Sequence, residues 1–458
     1  MPNRSRPLIL TLIATLFLSL PATAREADER LFGAETFTLD NGLQVVVVEN
    51  HRVPVVSHMV WYKVGAADEP AGKSGIAHLL EHLMFKGTEK IGPNDFSNII
   101  ARHGGQQNAF TSSDYTGYYQ NIAKDRLELV MGMEADRMAN LRLAENEVIT
   151  ERAVVIEERL SRTENEPAAL LGEQLDLARW VVHPYRNPVI GWAHELAQLN
   201  RQDALDFYGR WYAPNNAILV ISGDVTADEV RPLAERTYGV VPRGPDMVRE
   251  RVSADLPPTA ARIVMRHPRV AQPQWQRQYK ASSYGTTTGD AVREVYALEV
   301  LSELLGGGAT SRLYRSLVVD QQLAVSAGSW YSASAVDLGT FGLYITPRPG
   351  VELDAAEKAL EAEVARLLSE GITEDEVENA KLRMRAGVIY ARDTLQGAAQ
   401  TIGAALATGS TLDQVETWPA RIGEVTRDQV MEAARAVLRD ETATTGVLLP
   451  DPQQAAAR

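Results

Sequence analysis

The residues best suited to chemistry in this sequence form one short segment, His78-Leu79-Leu80-Glu81-His82. On an α-helix, positions i and i+4 lie one above the other on a single face, so the two imidazoles can bind one metal ion. Glu81, three residues after His78, shares that face and can reach a water on the metal. Bound Zn²⁺ lowers the pKa of its water towards about 7, and a neighbouring carboxylate can then take the proton. The segment therefore predicts a hydrolytic metal site.

A second interpretation is open on the motif alone, because three fixed letters in five also arise by chance on an amphipathic surface helix. The apolar neighbours Leu79, Leu80 and Leu83 favour a largely buried helix. Two buried imidazoles beside a carboxylate are costly unless they are paired or bind a metal. The spacing His-x-x-Glu-His is also the signature of one class of zinc peptidases.

A third metal ligand has to be a carboxylate, because the sequence contains no cysteine and zinc otherwise takes imidazole or carboxylate. The candidates lie in one acidic helical stretch. Glu151 and Glu158 are seven residues apart, which is two helical turns, so they share a face. The alternative is a charged, solvated helix, because Glu145, Glu147 and Glu157 belong to the same run. The spacing by itself does not choose among them.

Length and composition exclude several classes of protein. A chain of 458 residues with 45% hydrophobic and 23% charged residues is typical of a globular protein with two to four domains. The net charge of −14 argues against a nucleic-acid partner. The absence of cysteine excludes a disulfide framework and a thiol nucleophile.

The N-terminus predicts a signal peptide over residues 1–24. Arg4 and Arg6 precede an apolar run at 8–20, and a cleavage site ending in Ala24 follows. Thirteen helical residues span roughly 20 Å, short of the hydrocarbon core of about 30 Å. We expect export to the periplasm, a mature chain that begins at Arg25 and no stable membrane anchor. An uncleaved anchor is the alternative.

The elements predicted by periodicity occur in two similar successions. The predicted elements are a hairpin at 35–48 with an Asn-Gly turn, strands at 55–64, 108–122 and 217–223, helices at 74–85, 126–141 and 145–160, and, later, a strand at 261–265, helices at 290–305 and 311–320 and a strand at 324–330. A segment with four prolines at 241–259 separates the two successions. We expect a signal peptide at 1–24, a metal-binding domain at 25–240, a linker at 241–260 and a second domain at 261–458. The second succession has Glu299-Val300-Leu301-Ser302-Glu303 in place of the histidine motif, so only the first can bind metal.

Several long segments resemble the insulinase/pitrilysin family, in particular its bacterial branch that is similar to the mitochondrial processing peptidases. The resemblance covers nearly all of 35–450 and is strongest before 225. The matching segments are Asp40-Asn41-Gly42-Leu43; Gly75-Ile76-Ala77 before the histidine motif and Leu83-Met84-Phe85-Lys86-Gly87-Thr88 after it; Asn108-Ala109-Phe110-Thr111; Asp114-Tyr115-Thr116; Pro184-Tyr185; Gly191-Trp192; Tyr212-Ala213-Pro214-Asn215-Asn216; and Gly223-Asp224.

The resemblance implies a zinc endopeptidase with His78, His82 and Glu158 as metal ligands. In the family the third ligand is a glutamate about 76 residues after the second histidine, and here 158 − 82 = 76. An acid seven residues earlier, which orients a ligating imidazole, corresponds to Glu151, and Glu81 corresponds to the general base.

The resemblance also implies the architecture and the mode of substrate binding. The expected fold class is α+β, with two tandem similar domains, each a mixed β-sheet with helices on one face, that together form half of a clamshell. Asn108 and Ala109 would hold the backbone of a peptide substrate by β-addition. A turn or strand-end residue is the alternative interpretation of Asn108.

One departure from the family pattern concerns the second half. Active members carry an Arg and a Tyr, seven residues apart, in a stretch similar to Leu-Arg-x-x-x-x-Leu-x-Tyr after a glycine-rich turn. The corresponding positions here are Val318 and Val325. We therefore expect the zinc-bearing subunit of a heterodimer whose homologous partner supplies the Arg/Tyr pair. The alternatives are a non-catalytic assembly subunit and a dedicated maturation peptidase for one small peptide.

Overall fold

The computed structural model describes residues 30–252 and 259–451. The predicted signal peptide and part of the predicted linker, residues 253–258, lie outside the described residues. Among the described residues, no helix is both long and apolar enough to cross a lipid bilayer.

Each half of the chain forms one β-sheet. The strands of the first sheet are β1 (Glu35–Thr38), β2 (Gln44–Glu49), β3 (Val55–Tyr62), β4 (Gln106–Thr111), β5 (Thr116–Ala123) and β6 (Ala217–Gly223). The strands of the second sheet are β7 (Ala261–His267), β8 (Gln274–Ala281), β9 (Ala324–Ser332), β10 (Gly339–Pro347) and β11 (Thr444–Pro450).

Helices connect these strands. Those of the first half are α1 (Ile76–Leu83), α2 (Asp95–Arg102), α3 (Leu127–Asn140), α4 (Glu145–Arg159), α5 (Pro167–Trp180), α6 (Ala193–Leu196), α7 (Arg201–Trp211) and α8 (Ala227–Thr237). Those of the second half are α9 (Val292–Gly306), α10 (Leu353–Glu370), α11 (Glu374–Asp393), α12 (Gly397–Ala407), α13 (Leu412–Glu416), α14 (Trp418–Glu424) and α15 (Arg427–Val437). The helix predicted at 311–320 is a π-helical stretch at Tyr314–Asp320.

The strand orders confirm the predicted internal repeat. The first sheet runs β1-β2-β6-β3-β5-β4 and the second runs β7-β11-β8-β10-β9. The pairs β2/β6 and β7/β11 are parallel, and all other neighbouring strands are antiparallel. Without β1, the two orders correspond strand for strand. Helix α9 packs on β9 as α1 packs on β4, so α9 corresponds to α1 in the repeat.

The Asn-Gly turn of the first hairpin shows how local sequence sets the register. Gly42 has a φ of 91°, which glycine adopts without steric cost. The side chain of Asn41 donates hydrogen bonds to the carbonyl oxygens of Tyr238 and Val241. The turn is thereby tied to the end of the first half, and β1 and β2 pair as predicted.

The helices of each half cover one face of their own sheet, as predicted. The opposite face of each sheet is covered by one helix from the other half, which was not predicted. Helix α12 of the second half packs on β3 and β6 of the first sheet, and α5 of the first half packs on β11 of the second. The contact is close, because a Cβ atom on Gly403 would lie 2.1 Å from the indole of Trp61. Each half has an apolar core of its own, and two smaller apolar clusters contain residues of both halves. The domain boundaries at 240 and 261 stay a prediction.

The predicted linker is held by ion pairs to both halves. The buried guanidinium of Arg251 lies 2.9 Å from Asp68 and 2.6 Å from Asp114 in the first half, and 3.0 Å from Asp337 in the second. Asp114 also accepts a hydrogen bond from the backbone N–H of Val336. These contacts fix the relative placement of the two sheets.

Candidate metal centre

Helix α1, which carries the histidine motif, begins where the chain closely approaches a neighbouring loop. Gly75 precedes the helix with a φ of 86°, and a Cβ atom there would lie 2.7 Å from the carbonyl oxygen of Ile190. The carboxylate of Glu69 accepts the backbone N–H groups of Gly75 and Ala77. This satisfies donors that a helix leaves unpaired in its first turn.

The apolar residues of α1 are buried against the sheet and the neighbouring helices, and this orients the motif towards the surface. Ile76, Leu79, Leu80 and Leu83 are at most 1% exposed. The histidine motif consequently lies on the remaining face of the helix, beside α4.

The three predicted ligands lie close together at this face. The ligand atoms of His78, His82 and Glu158 all lie within 4.8 Å of one another. Oε2 of Glu158 is 3.4 Å from Nε2 of His82 and 3.9 Å from Nε2 of His78. Tetrahedral zinc with ligand bonds of about 2.0–2.1 Å places its ligand atoms about 3.4 Å apart. The donor set and its spacing therefore fit a zinc ion.

Glu151, which is predicted to orient a ligating imidazole, contacts His82 from the side opposite Glu158. Nδ1 of His82 donates to Oε1 of Glu151 at 2.9 Å, which leaves Nε2 free for a metal. The other oxygen of Glu151 is 2.5 Å from Nζ of Lys86. The pKa of Glu151 is lowered, because these two hydrogen bonds outweigh the effect of burial.

Glu81 lies at the same surface but does not belong to the ligand cluster. Its Oε2 accepts a hydrogen bond of 2.6 Å from the hydroxyl of Thr111 on β4. Burial raises the pKa of Glu81, and the hydrogen bond from Thr111 opposes that rise. A carboxylate held in this way is suited to proton transfer at the metal site.

The two imidazoles differ in their electrostatic surroundings. Burial, together with the charges of His82 and Arg162, lowers the pKa of His78 to about 3, so its ring is neutral as a metal ligand must be. Burial also lowers the pKa of His82, but the hydrogen bond to Glu151 and the nearby carboxylates outweigh it and raise the pKa.

Three residues at the site were not among the predicted functional residues. Thr111 contacts Glu81, Lys86 contacts Glu151, and Nη1 of Arg162 lies 2.6 Å from Oε1 of Glu158. Arg162 follows Glu158 by four residues, and this spacing indicates a contact on one face of a helix. Lys86 follows His82 by four residues, but its contact is with Glu151.

The cluster opens into a cleft of about 1010 Å³. Asn108 and Ala109 line this cleft, as do His78, Glu81, His82 and Glu158. Both lie on β4, the last strand of its sheet, and among the described residues no strand pairs with its outer side. The side chain of Asn108 is exposed, and its Oδ1 accepts the N–H of Ala109. An extended peptide could therefore add to this edge.

No described residue of the second half lines this cleft. Every described residue that lines it lies between His78 and Ile190. Val318 packs against the core of the second half, and Val325 is an exposed residue of the edge strand β9. Glu303, at the position of His82 in the repeat, pairs with Arg383.

Comparisons with known proteins identify relatives over most of the chain. The family model described as "Insulinase (Peptidase family M16)" matches residues 44–192, and the model described as "Peptidase M16 inactive domain" matches residues 198–384. The zinc protease PqqE of Helicobacter pylori is 32% identical over 384 residues, which are 83% of this chain and 85% of that protein.

Solved structures share the fold over most of the chain. A protease from Helicobacter pylori has a TM-score of 0.84 at 30% identity and covers 91% of this chain and 99% of its own. The periplasmic protease PqqL from Escherichia coli has a TM-score of 0.77 at 17% identity, and the match covers 92% of this chain but only 48% of that longer chain.

Proposed function

Because the chain belongs to the insulinase family of M16 peptidases, we propose that it is a zinc-dependent endopeptidase with His78, His82 and Glu158 as metal ligands. The observation that carries this proposal is the set of three ligand atoms within 4.8 Å of one another, at the wall of a large cleft. The relatives' name of zinc protease agrees with the donor set, which contains two imidazoles and one carboxylate.

The protein's own residues account for the remaining steps of peptide hydrolysis. Zinc, when bound, supplies a Lewis acid that polarises the scissile carbonyl and activates water. Glu81 takes a proton from the attacking water and delivers it to the leaving amine. Thr111 holds the carboxylate of Glu81 in place, and Glu151 keeps Nε2 of His82 directed at the metal.

The substrate in this proposal is a peptide or a small unfolded protein. Its extended backbone adds to the outer side of β4, where Asn108 and Ala109 hold it beside Glu81. An edge strand recognises main-chain groups, so it accepts many sequences. A dedicated maturation peptidase for a single peptide is the narrower alternative, and it requires selectivity from the side chains of the cleft.

We further infer that the chain is the catalytic subunit of a heterodimer. Val318 and Val325 cannot donate hydrogen bonds to a substrate carbonyl or an oxyanion, which active members of the family do with Arg and Tyr. Within the part of the second half that the structure describes, no residue lines the cleft.

The heterodimer is tested with three samples: the chain alone, the chain with a homologous partner, and the chain with that partner carrying Val in place of its Arg and Tyr. We expect strong peptidase activity only in the second sample. Full activity of the isolated chain contradicts the heterodimer, and so does a partner whose Arg/Tyr replacement changes nothing.

The choice of ligand is tested separately. Glu158→Gln should weaken zinc binding far more than the adjacent Glu157→Gln, because Glu157 is exposed and lies outside the ligand cluster. Zinc content after dialysis measures this. The main rival is an assembly subunit without catalysis. Such a subunit would bind no zinc, whichever of the two glutamates is replaced, or it would hydrolyse no peptide with any partner.

A further inference from the structure

A second cavity lies where the two halves meet, and it shares no lining residue with the metal-binding cleft. Its volume is about 250 Å³, below the roughly 300–1,000 Å³ of sites for drug-sized molecules. The wall is mainly apolar and aromatic. The apolar and aromatic residues of the wall are Leu31, Tyr284, Val388, Ala405, Val415 and Trp418. The cavity therefore suits a compact molecule with an apolar body.

One carboxylate stands in this apolar wall. Oε2 of Glu299 accepts hydrogen bonds from Nε1 of Trp418 at 2.8 Å and from the hydroxyl of Tyr284 at 3.0 Å. Burial raises the pKa of Glu299 to about 7, and these two hydrogen bonds oppose the rise. Within residues 30–252 and 259–451, no basic side chain forms an ion pair with Glu299. A partly buried carboxylate without a counter-ion in an apolar wall is costly.

A second polar group in the wall also lacks a partner. Ser410 lines the cavity and is 8% exposed, and its hydroxyl has no hydrogen-bond partner among the described residues. An unsatisfied buried hydroxyl is destabilising. Gln414 lines the same cavity, and its amide oxygen, which already accepts the backbone N–H of Thr411 at 2.7 Å, has a second lone pair. The described residues of the wall thus present several acceptors and a negative charge, and none of them carries a positive charge.

We propose that this cavity is a binding site for a primary ammonium compound with a compact apolar body. An ammonium group has three N–H donors, which match the carboxylate of Glu299, the hydroxyl of Ser410 and the amide oxygen of Gln414. The carboxylate of Glu299 favours a cation over an anion of the same size, because a charge-assisted hydrogen bond forms only with the cation. The aliphatic residues enclose the apolar body.

The position of the cavity predicts what binding does to the protein. Ala405 belongs to α12, which packs on the first sheet, while Glu299 belongs to α9 of the second half. Leu31 precedes β1, and its backbone N–H bonds to the carbonyl oxygen of Glu416. A ligand in the cavity contacts segments from both halves, so its binding should raise the thermal midpoint of the whole chain.

The experiment measures binding of cyclohexylammonium and of its neutral analogue cyclohexanol to the purified mature chain at pH 8, by calorimetry and by thermal shift. We expect the ammonium compound to bind more tightly and to raise the midpoint. Glu299→Gln keeps an oxygen that accepts from Trp418 and Tyr284 but removes the charge. The substitution should weaken the binding of cyclohexylammonium by about tenfold or more, because a charge-assisted hydrogen bond is lost. The affinity for cyclohexanol should stay unchanged.

Two further variants test whether the effect is specific to Glu299 and to this cavity. Glu294→Gln, an exposed residue on the same helix, is the matched control and should bind both probes as the wild type does. Thr401→Phe, at an exposed residue of the cavity wall, should narrow the cavity and weaken both probes. Equal binding of the two probes to the wild type overturns the proposal. Wild-type affinity of Glu299→Gln for cyclohexylammonium overturns it as well.

Discussion

Nδ1 of His82 lies 2.9 Å from Oε1 of Glu151, and this contact decides which nitrogen of the imidazole faces the cleft. Glu151 and Glu158 share one face of α4, yet they contact opposite edges of the same ring. One carboxylate orients the imidazole and the other completes the ligand set. The two roles follow from position around His82 rather than from any chemical difference between the two glutamates.

Loss of the orienting carboxylate should weaken metal binding without removing a ligand. Glu151→Ala leaves Nδ1 of His82 without its acceptor, and we expect a loss of about 10–100-fold in zinc affinity. Competition with a chromogenic chelator measures the affinity. Glu145→Ala, at an exposed residue on the same helix, is the control. Unchanged affinity in Glu151→Ala would show that the contact has no orienting role.

Loss of the proposed base should separate metal binding from catalysis. Glu81→Gln is expected to retain one zinc per chain but to lose about 10²–10⁴-fold or more in turnover, because the proton acceptor is gone. His82→Ala should lose the metal as well. Elemental analysis and hydrolysis of an unfolded protein such as casein, in the presence of the partner if one is needed, report the two properties. Wild-type turnover by Glu81→Gln would falsify the mechanism.

Helix α12 belongs to the second half but packs on the first sheet. It should not accommodate an additional side-chain atom at its contact with Trp61. Gly403→Ala places a Cβ atom 2.1 Å from the indole, and we expect a loss of about 1–3 kcal/mol in stability. The matched control is Gly387→Ala in α11, where a Cβ atom meets nothing within 4 Å. That change should stabilise by roughly 0.5–1 kcal/mol, because alanine is the better helix former. Denaturant unfolding followed by circular dichroism compares the two. Equal stabilities would contradict the close packing described here.

The carboxyl of Glu299, partly buried in an apolar cavity wall, should make the stability of the fold depend on pH. Its pKa is 4.5 in an ordinary environment and about 7 in the folded chain, so the folded state binds the proton more tightly. The stabilisation is present below about 4.5 and is lost as the pH rises towards 7.

The Glu299→Gln variant does not titrate, and this makes the effect measurable. The thermal midpoint of the variant minus that of the wild type should increase between pH 5 and pH 7.5, on the order of a few °C. A difference that stays constant over this range argues against a raised pKa at Glu299.

Export and processing are predicted for the N-terminus. The natively expressed protein should appear in the periplasmic fraction with Arg25 as its first residue, because residues 1–24 have the n-, h- and c-regions of a signal peptide. Intact-mass spectrometry of the fractionated protein measures this directly. A mass that includes residues 1–24, recovered with the membranes, would identify an anchor instead.

Several features of the protein follow from local sequence. The i, i+4 spacing of His78 and His82 predicts a shared metal, because helix geometry alone brings those two rings to one face. Asn41-Gly42 predicts a hairpin, because the turn requires a positive φ at the glycine. Both were visible without any knowledge of contacts between distant segments, and the resemblance to a peptidase family added Glu158 at its characteristic distance.

Other features were decided only by the tertiary structure. Glu151 and Glu158 are equivalent on a helical wheel, and only the packing of α4 against α1 places Glu158 at Nε2 of His82 and Glu151 at Nδ1. The exchange of α5 and α12 between the two halves was not predicted, because an apolar helix face does not specify which sheet it covers. Glu299 illustrates the same limit. Its sequence position shows a glutamate where the first half has His78, but its unpaired charge in an apolar cavity depends on residues up to 268 positions away, from Leu31 to Glu299. Such contacts arise from the packing of whole elements, and no local periodicity encodes them.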